Sequence, residues 1–159
     1  MIDGRLLVEI TNQADKAPAL QAIGSRLLGQ TALLVGRATG EALTGAGSHR
    51  HQYAVLATLD AFGASSQAEL CRRTDLDRSD MNMVINALET EGAVTRKTDP
   101  DNRRQNVVEL TRKGRTLYAL LSERLTKAHD RALAPLAAKE RTELFRLLRK
   151  LHDHLAPIS

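Results

Sequence analysis

A chain of 159 residues, 42% of them hydrophobic, suits one domain, or one domain with a dimerisation layer, and is long enough to bury a real core. The formal net charge of +4 and sequence pI of about 9.6 are a modest basic excess, which points to an anionic partner only if concentrated on one face. Aromatic residues, at 3%, are too few for a single-strand or RNA surface of exposed rings, and a single cysteine excludes an intrachain disulfide, as suits a reducing compartment.

Residues 1–17 lack a basic leader followed by an apolar run, so they read as an N-terminal extension and not as a secretory signal. No stretch is long and apolar enough to span a membrane, and the expected location is cytoplasmic. From residue 18, Leu20, Ile23, Leu27, Leu34 and Ala38 recur at helical spacing. Gly40 and the Gly-Ala-Gly-Ser stretch at 45–48 interrupt the chain before the next helix, and that stretch reads as a hinge or turn.

Ser66-Gln67-Ala68-Glu69 has the spacing of a capping box and predicts a short helix ending near Thr74, with Ala68, Leu70 and Cys71 toward the core. Asp75-Leu76-Asp77 makes a turn, and Asp77 can cap a second helix in which Met81, Val84, Ile85 and Leu88 form one apolar stripe. The opposite face presents Arg78, Ser79, Asp80, Asn82, Met83 and Asn86, short hydrogen-bonding groups suited to base edges and phosphates. Gly92 should stop this helix. The pattern is helix-turn-helix.

A β-hairpin follows, with strands at residues 93–98 and 106–110. Asp99, Pro100, Asp101 and Asn102 supply the turn, and Arg103 and Arg104 stand at its tip. An arginine on such a wing can enter the minor groove, and Asp101 can aim Arg103 through a bidentate pair. Here the positive charge is concentrated: Arg96, Lys97, Arg103, Arg104, Arg112, Lys113 and Arg115 face only Asp99, Asp101 and Glu109. A hairpin whose charges only solvate it, or a helix whose polar face is merely wet, is the plainer reading of each element alone. Their conjunction favours double-stranded DNA.

After the wing, Thr111 can cap a long helix with Leu117, Leu120, Leu121 and Leu125 inward. Pro135 breaks it and can start another, bearing Leu144, Leu147, Leu148, Leu151 and Leu155. The flanking helices carry more apolar face than a winged module of this size needs. Burial against a second copy in a two-fold dimer is the natural use, with an intrachain bundle as the alternative.

In order along the chain, Gln52-Tyr53-Ala54-Val55-Leu56, Gln67-Ala68-Glu69-Leu70, Leu88-Glu89-Thr90-Glu91-Gly92, Asp101-Asn102-Arg103-Arg104 and Leu110-Thr111-Arg112-Lys113-Gly114 resemble the MarR family of winged helix-turn-helix regulators, over about residues 18 to 156. The Asp-x-Arg-Arg wing leading into Leu-Thr-x-x-Gly is its most specific part. The resemblance implies a mainly α fold with a small β-hairpin: a dimerisation helix at 18–48, a winged helix-turn-helix domain at 49–112 and C-terminal dimerisation helices at 113–159. It also implies a homodimer that reads a pseudo-palindromic operator and responds to a small molecule. Asp80 departs from the family, whose members often carry uncharged residues there; it can read a cytosine amino group, cap the helix beside Asp77, or turn away.

In similar proteins the ligand sits between the dimer helices and the winged module, so Arg37, His51, Tyr53 and Tyr118 are the candidates to hold a phenolic or carboxylate effector. Both tyrosines can equally be packed core rings. His49 with His51, and His152 with His154, are spaced so that neither pair shares a helix face, and no metal site is expected from them. Cys71 reads as a small buried apolar residue more readily than as a redox switch. No cofactor is expected, and no phosphate loop, metal-protease pair or Ser-His-Asp arrangement suggests an enzyme. The competing classes are a sequence-tolerant architectural DNA binder without effector and a redox- or metal-responsive regulator.

Overall fold

The structure, a computed structural model, describes residues 14, 16–98 and 106–156. Its elements run α1 (Pro18–Gln21), α2 (Gly24–Thr44), α3 (Arg50–Phe62), β1 (Ser65–Ser66), α4 (Gln67–Thr74), α5 (Arg78–Thr90), β2 (Val94–Thr98), β3 (Asn106–Leu110), α6 (Arg112–Ala132) and α7 (Ala138–Leu155). The fold is mainly α with a small antiparallel sheet.

Local chemistry sets most of the boundaries. The Ser66 hydroxyl accepts from the Glu69 backbone N–H at 3.3 Å, while the Glu69 carboxylate accepts from the Ser66 backbone at 3.0 Å, closing the capping box of α4. Asp75 takes a left-handed conformation, φ 55°, that ends α4, and the Asp77 carboxylate caps α5 by accepting from Asp80 N at 2.8 Å. Gly92, φ 71°, releases the chain from α5 toward the sheet. Thr111 caps α6, its hydroxyl accepting from Gly114 N at 3.0 Å.

The core of the module is the inner stripe of α5, Met81, Val84, Ile85 and Leu88, packed with Val55, Leu56 and Leu59 of α3, Leu70 of α4 and Leu121 of α6. Leu56, Leu70, Met81, Ile85, Leu88 and Leu121 are fully buried, each contributing about 1.5–3 kcal/mol of apolar burial. Leu121 shows how α6 is tied in: one end belongs to the winged module and the rest runs back along α2.

Several local expectations change. The sheet has three strands in the order β1-β3-β2, because Ser65 and Ser66 pair with Val108 and Val107. A two-residue strand carries no periodic signal, so only the tertiary pairing reveals it. Ala68 lies exposed, since Leu70 alone of the α4 trio is fully buried; Cys71 is half-buried. Leu120 is 42% exposed, one position round from Leu121, which takes the core site. Pro135 lies in the turn between α6 and α7 and does not begin a helix. α7 starts at Ala138, where the Glu140 carboxylate accepts from Ala137 N at 2.7 Å.

The faces assigned to dimerisation are open in the single chain. Leu27, Leu28 and Leu34 of α2 are exposed, as are Leu147, Leu148, Leu151 and Leu155 of α7, and α7 buries none of its residues.

Candidate nucleic-acid interface

The amphipathic stripe that buries Met81, Val84, Ile85 and Leu88 turns the other face of α5 outward. Arg78, Ser79, Asn82, Met83 and Asn86 are all exposed there, and Met83, at 62%, is unusually open for an apolar side chain. Asp80 is half-buried at the first turn, where its backbone N–H serves the Asp77 cap and its charge favours the positive helix N-terminus.

Gln67, the first residue of α4, lies across the turn from this face, and its amide donates to Asn82 Oδ1 at 3.3 Å. Arg96, on β2, is turned onto α5: its guanidinium ion-pairs with Glu89 and donates to Asn86 Oδ1 at 2.6 Å. The wing and the outward face of α5 are therefore linked through a residue whose side chain is only 29% exposed. Lys97 next to it bridges to Glu109 at 2.6 Å across the β2–β3 pair, and that contact holds the Glu109 carboxyl below its ordinary range. Asp101, Arg103 and Arg104 lie outside the described residues.

The four effector candidates divide. Tyr53 of α3 and Tyr118 of α6 come together, ring centroids 5.8 Å apart and tilted by 33°, both half-buried against the core. Ser122 Oγ donates to the Tyr53 hydroxyl at 3.5 Å. His51 instead accepts from Arg50 Nε at 3.1 Å and meets His49 edge-on at 5.7 Å. Arg37 is half-buried on α2, and among the described residues no hydrogen bond or ring contact joins it to the tyrosines.

His152 and His154 sit on exposed α7. Among the described residues no three His, Cys, Asp or Glu side chains gather as a metal site would require. Cys71 has its thiol 3.9 Å from the Asp77 carbonyl and lines a hollow with Gln67, Leu76 and Arg78.

Two arrangements escaped the residue pattern. Buried Gln52 accepts from Ser48 Oγ at 2.7 Å and from His49 N at 3.2 Å, and donates to Glu91 at 3.1 Å, tying the α2–α3 turn to the end of α5. Partial desolvation first, then the charge of His51, holds the His49 imidazole below its ordinary value, while Glu91 opposes both. The second is a cavity of about 670 Å3 between α2 and α6, walled by Ala38 and Ala42 and rimmed by Glu41, Arg124, Lys127 and Arg131. Its signal was present as bases at i, i+3 and i+7 on α6, but only the pairing with α2 turns that spacing into a pocket.

Comparison with known proteins bears on the family and the fold. The model of the MarR family matches residues 46–105. The transcriptional repressor NicR of Pseudomonas putida is 32% identical over 102 residues, 64% of this chain and 65% of NicR, so the chain spans a little under two thirds of that relative. The transcriptional repressor Mb2911 of Mycobacterium bovis is 36% identical over 101 residues, 63% of this chain and 72% of the relative. Among solved structures, the PcaV transcriptional regulator of Streptomyces coelicolor, in complex with its natural ligand, superposes with a TM-score of 0.68 at 29% identity, covering 87% of this chain and 97% of that one.

Proposed function

Because the chain belongs to the MarR family, we propose that it is a ligand-responsive transcriptional repressor that binds a pseudo-palindromic operator in double-stranded DNA as a homodimer. The observation that carries this reading is the outward face of α5, with Arg78, Ser79, Asn82, Met83 and Asn86 exposed together on a helix held rigidly by its buried stripe. Such a face offers amide and hydroxyl groups to base edges and a thioether to a thymine methyl. Gln67 and Arg78 stand at helix N-termini, where phosphates are favoured. Arg103 of the wing, aimed by Asp101, is proposed to enter the minor groove, with Arg104 beside it in sequence as a further DNA contact. Arg96 takes a supporting place against Glu89 and Asn86 of α5.

The homodimer reading is supported by the open apolar side chains of α2 and α7, Leu27, Leu28 and Leu34 on one and Leu147, Leu148 and Leu151 on the other. In this arrangement residues 49–112 form the DNA-binding module, and residues 18–48 and 113–159 supply the dimer contacts. An effector with a phenol or carboxylate is supported by the Tyr53–Tyr118 pair of α3 and α6, where hydroxyls can hydrogen-bond it, with His51 on α3 and Arg37 on α2 as further candidates. The relatives are transcriptional regulators, and no catalytic step is proposed.

Footprinting on DNA upstream of the chain's own and neighbouring genes tests the reading. One protected site with two-fold-related halves is the expected result. An enzyme would protect nothing, and an architectural binder would protect no preferred site. If each dimer neutralises roughly six phosphates, the log-log salt slope should be about −5.

A further inference from the structure

Arginine carries donors and no acceptor. Asn86 therefore has one compatible orientation against Arg96: Oδ1, 2.6 Å from Nη2, faces the guanidinium, and the Nδ2 amino group is directed away from it. The reverse orientation would set amino hydrogens against guanidinium hydrogens. Arg96 is itself held on its other side by the Glu89 carboxylate and by its place in the β2–β3 ladder, opposite Val108. An exposed asparagine is ordinarily free to turn its amide to suit either a donor or an acceptor; this one is held.

We propose that Arg96 is a specificity-determining positioning residue, which by holding Oδ1 makes Asn86 a reader of hydrogen-bond acceptors in the major groove, guanine O6 and N7 foremost. The inference rests on the reading of α5 as the recognition helix. Oδ1 keeps a second lone pair, but a base amino group approaching it meets a guanidinium already seated on the same oxygen. The N4 amino group of cytosine and the N6 amino group of adenine are disfavoured by that positive charge. An acceptor edge is favoured by the amide N–H groups that the same charge polarises. Guanine presents two acceptors side by side and no major-groove donor.

The test is to select a preferred site from a random duplex library with the full-length protein. Every base-pair variant of that site is then titrated at fixed salt with the natural chain, Arg96→Met and Asn86→Asp. The natural chain is expected to prefer guanine at one position in each half-site, and Arg96→Met should cut that preference by about five- to tenfold, the scale of one directed base contact. Other positions and the salt slope should stay unchanged. Asn86→Asp has no donor and keeps Arg96 occupied, so it should move the preference at that same position to cytosine. It sits on an exposed face, which keeps the question open to test if Arg96→Met fails to fold.

Unchanged preferences in the folded variants would overturn the inference. So would an Arg96→Met variant that weakens binding to all sequences equally and lowers the salt slope by about one, the mark of a phosphate contact. A protein that selects no site at all overturns the regulator reading itself, an outcome distinct from a selected site indifferent to both substitutions.

Discussion

Gly114 lies so close beneath Ala93 that a Cβ on it would stand 2.0 Å from the Ala93 carbonyl oxygen. The same oxygen accepts from Thr111 N at 3.0 Å, and the Thr111 hydroxyl donates to the Gly92 carbonyl at 2.7 Å. Together these contacts clamp the start of α6 to the base of the wing, which explains physically why threonine and glycine stand three residues apart here. Gly114→Ala must push two backbones apart, and is expected to cost about 1–3 kcal/mol or more of stability. Urea unfolding at neutral pH checks it; a midpoint equal to that of the natural chain would mean the junction is looser than this contact requires.

The capping box at the start of α4 predicts both a stability loss and a pH dependence. Ser66→Ala should destabilise the fold by about 1 kcal/mol. Hydrogen bonds from the Ser66 backbone and then its hydroxyl hold the Glu69 carboxyl below its ordinary value of 4.5, with smaller help from Arg73 and Arg72. A carboxyl depressed in the folded state adds stability above its unfolded pKa, and that stability is lost as pH falls through the folded value. Glu69→Gln should thus melt lower than the natural chain at pH 6, with the gap closing below about pH 4.5. Thermal melts across that range decide the point, and a gap that stays constant down to pH 3 would count against the pair.

For the dimer, Leu147 and Leu151 are 43% and 45% exposed on α7 in the single chain. Placing a carboxylate at either position would set a charge into the proposed apolar interface, where it would go unpaired. Leu147→Asp or Leu151→Asp is expected to weaken self-association and operator binding together, read by sedimentation and by titration of the same samples. A natural chain that sediments as a stable monomer would rule the arrangement out.

Arg103 and Asn82 should behave differently when removed. Groove width and potential govern an arginine in the minor groove, so Arg103→Ala should lower affinity for many sequences by a similar factor and leave the preferred operator preferred. Asn82, exposed on α5 and bonded to Gln67, is expected to act on particular base pairs, its loss reducing discrimination by about 1–3 kcal/mol. Titration against the operator, its single-pair variants and unrelated DNA at one salt concentration separates the two. Affinities indifferent to Arg103→Ala would remove the wing from the DNA-contacting surface.

The elements governed by local chemistry were legible from the residues alone. Capping at Ser66, Asp77 and Thr111 marks three helix starts, and each bond forms where the spacing placed it. The stripe of Met81, Val84, Ile85 and Leu88 identifies the buried side of α5, and hence its outward side, because a helix repeats every 3.6 residues whatever it packs against. Strand β3 falls at residues 106–110 as its β-branched run indicates. What tertiary structure decided are relationships between segments far apart in the chain. Ser65 becomes a strand residue only because Val108 is there to pair with it. By sequence Arg96 is one more base in a positive wing, and its position against Glu89 and Asn86 depends on the angle at which the sheet meets α5. Gln52 and Glu91 meet across 39 residues, and the α2–α6 cavity exists only where two helices lie side by side. Periodicity and capping are properties of neighbours in sequence, whereas side-chain partnership across elements is fixed by the packed core that sets those elements at their final angles.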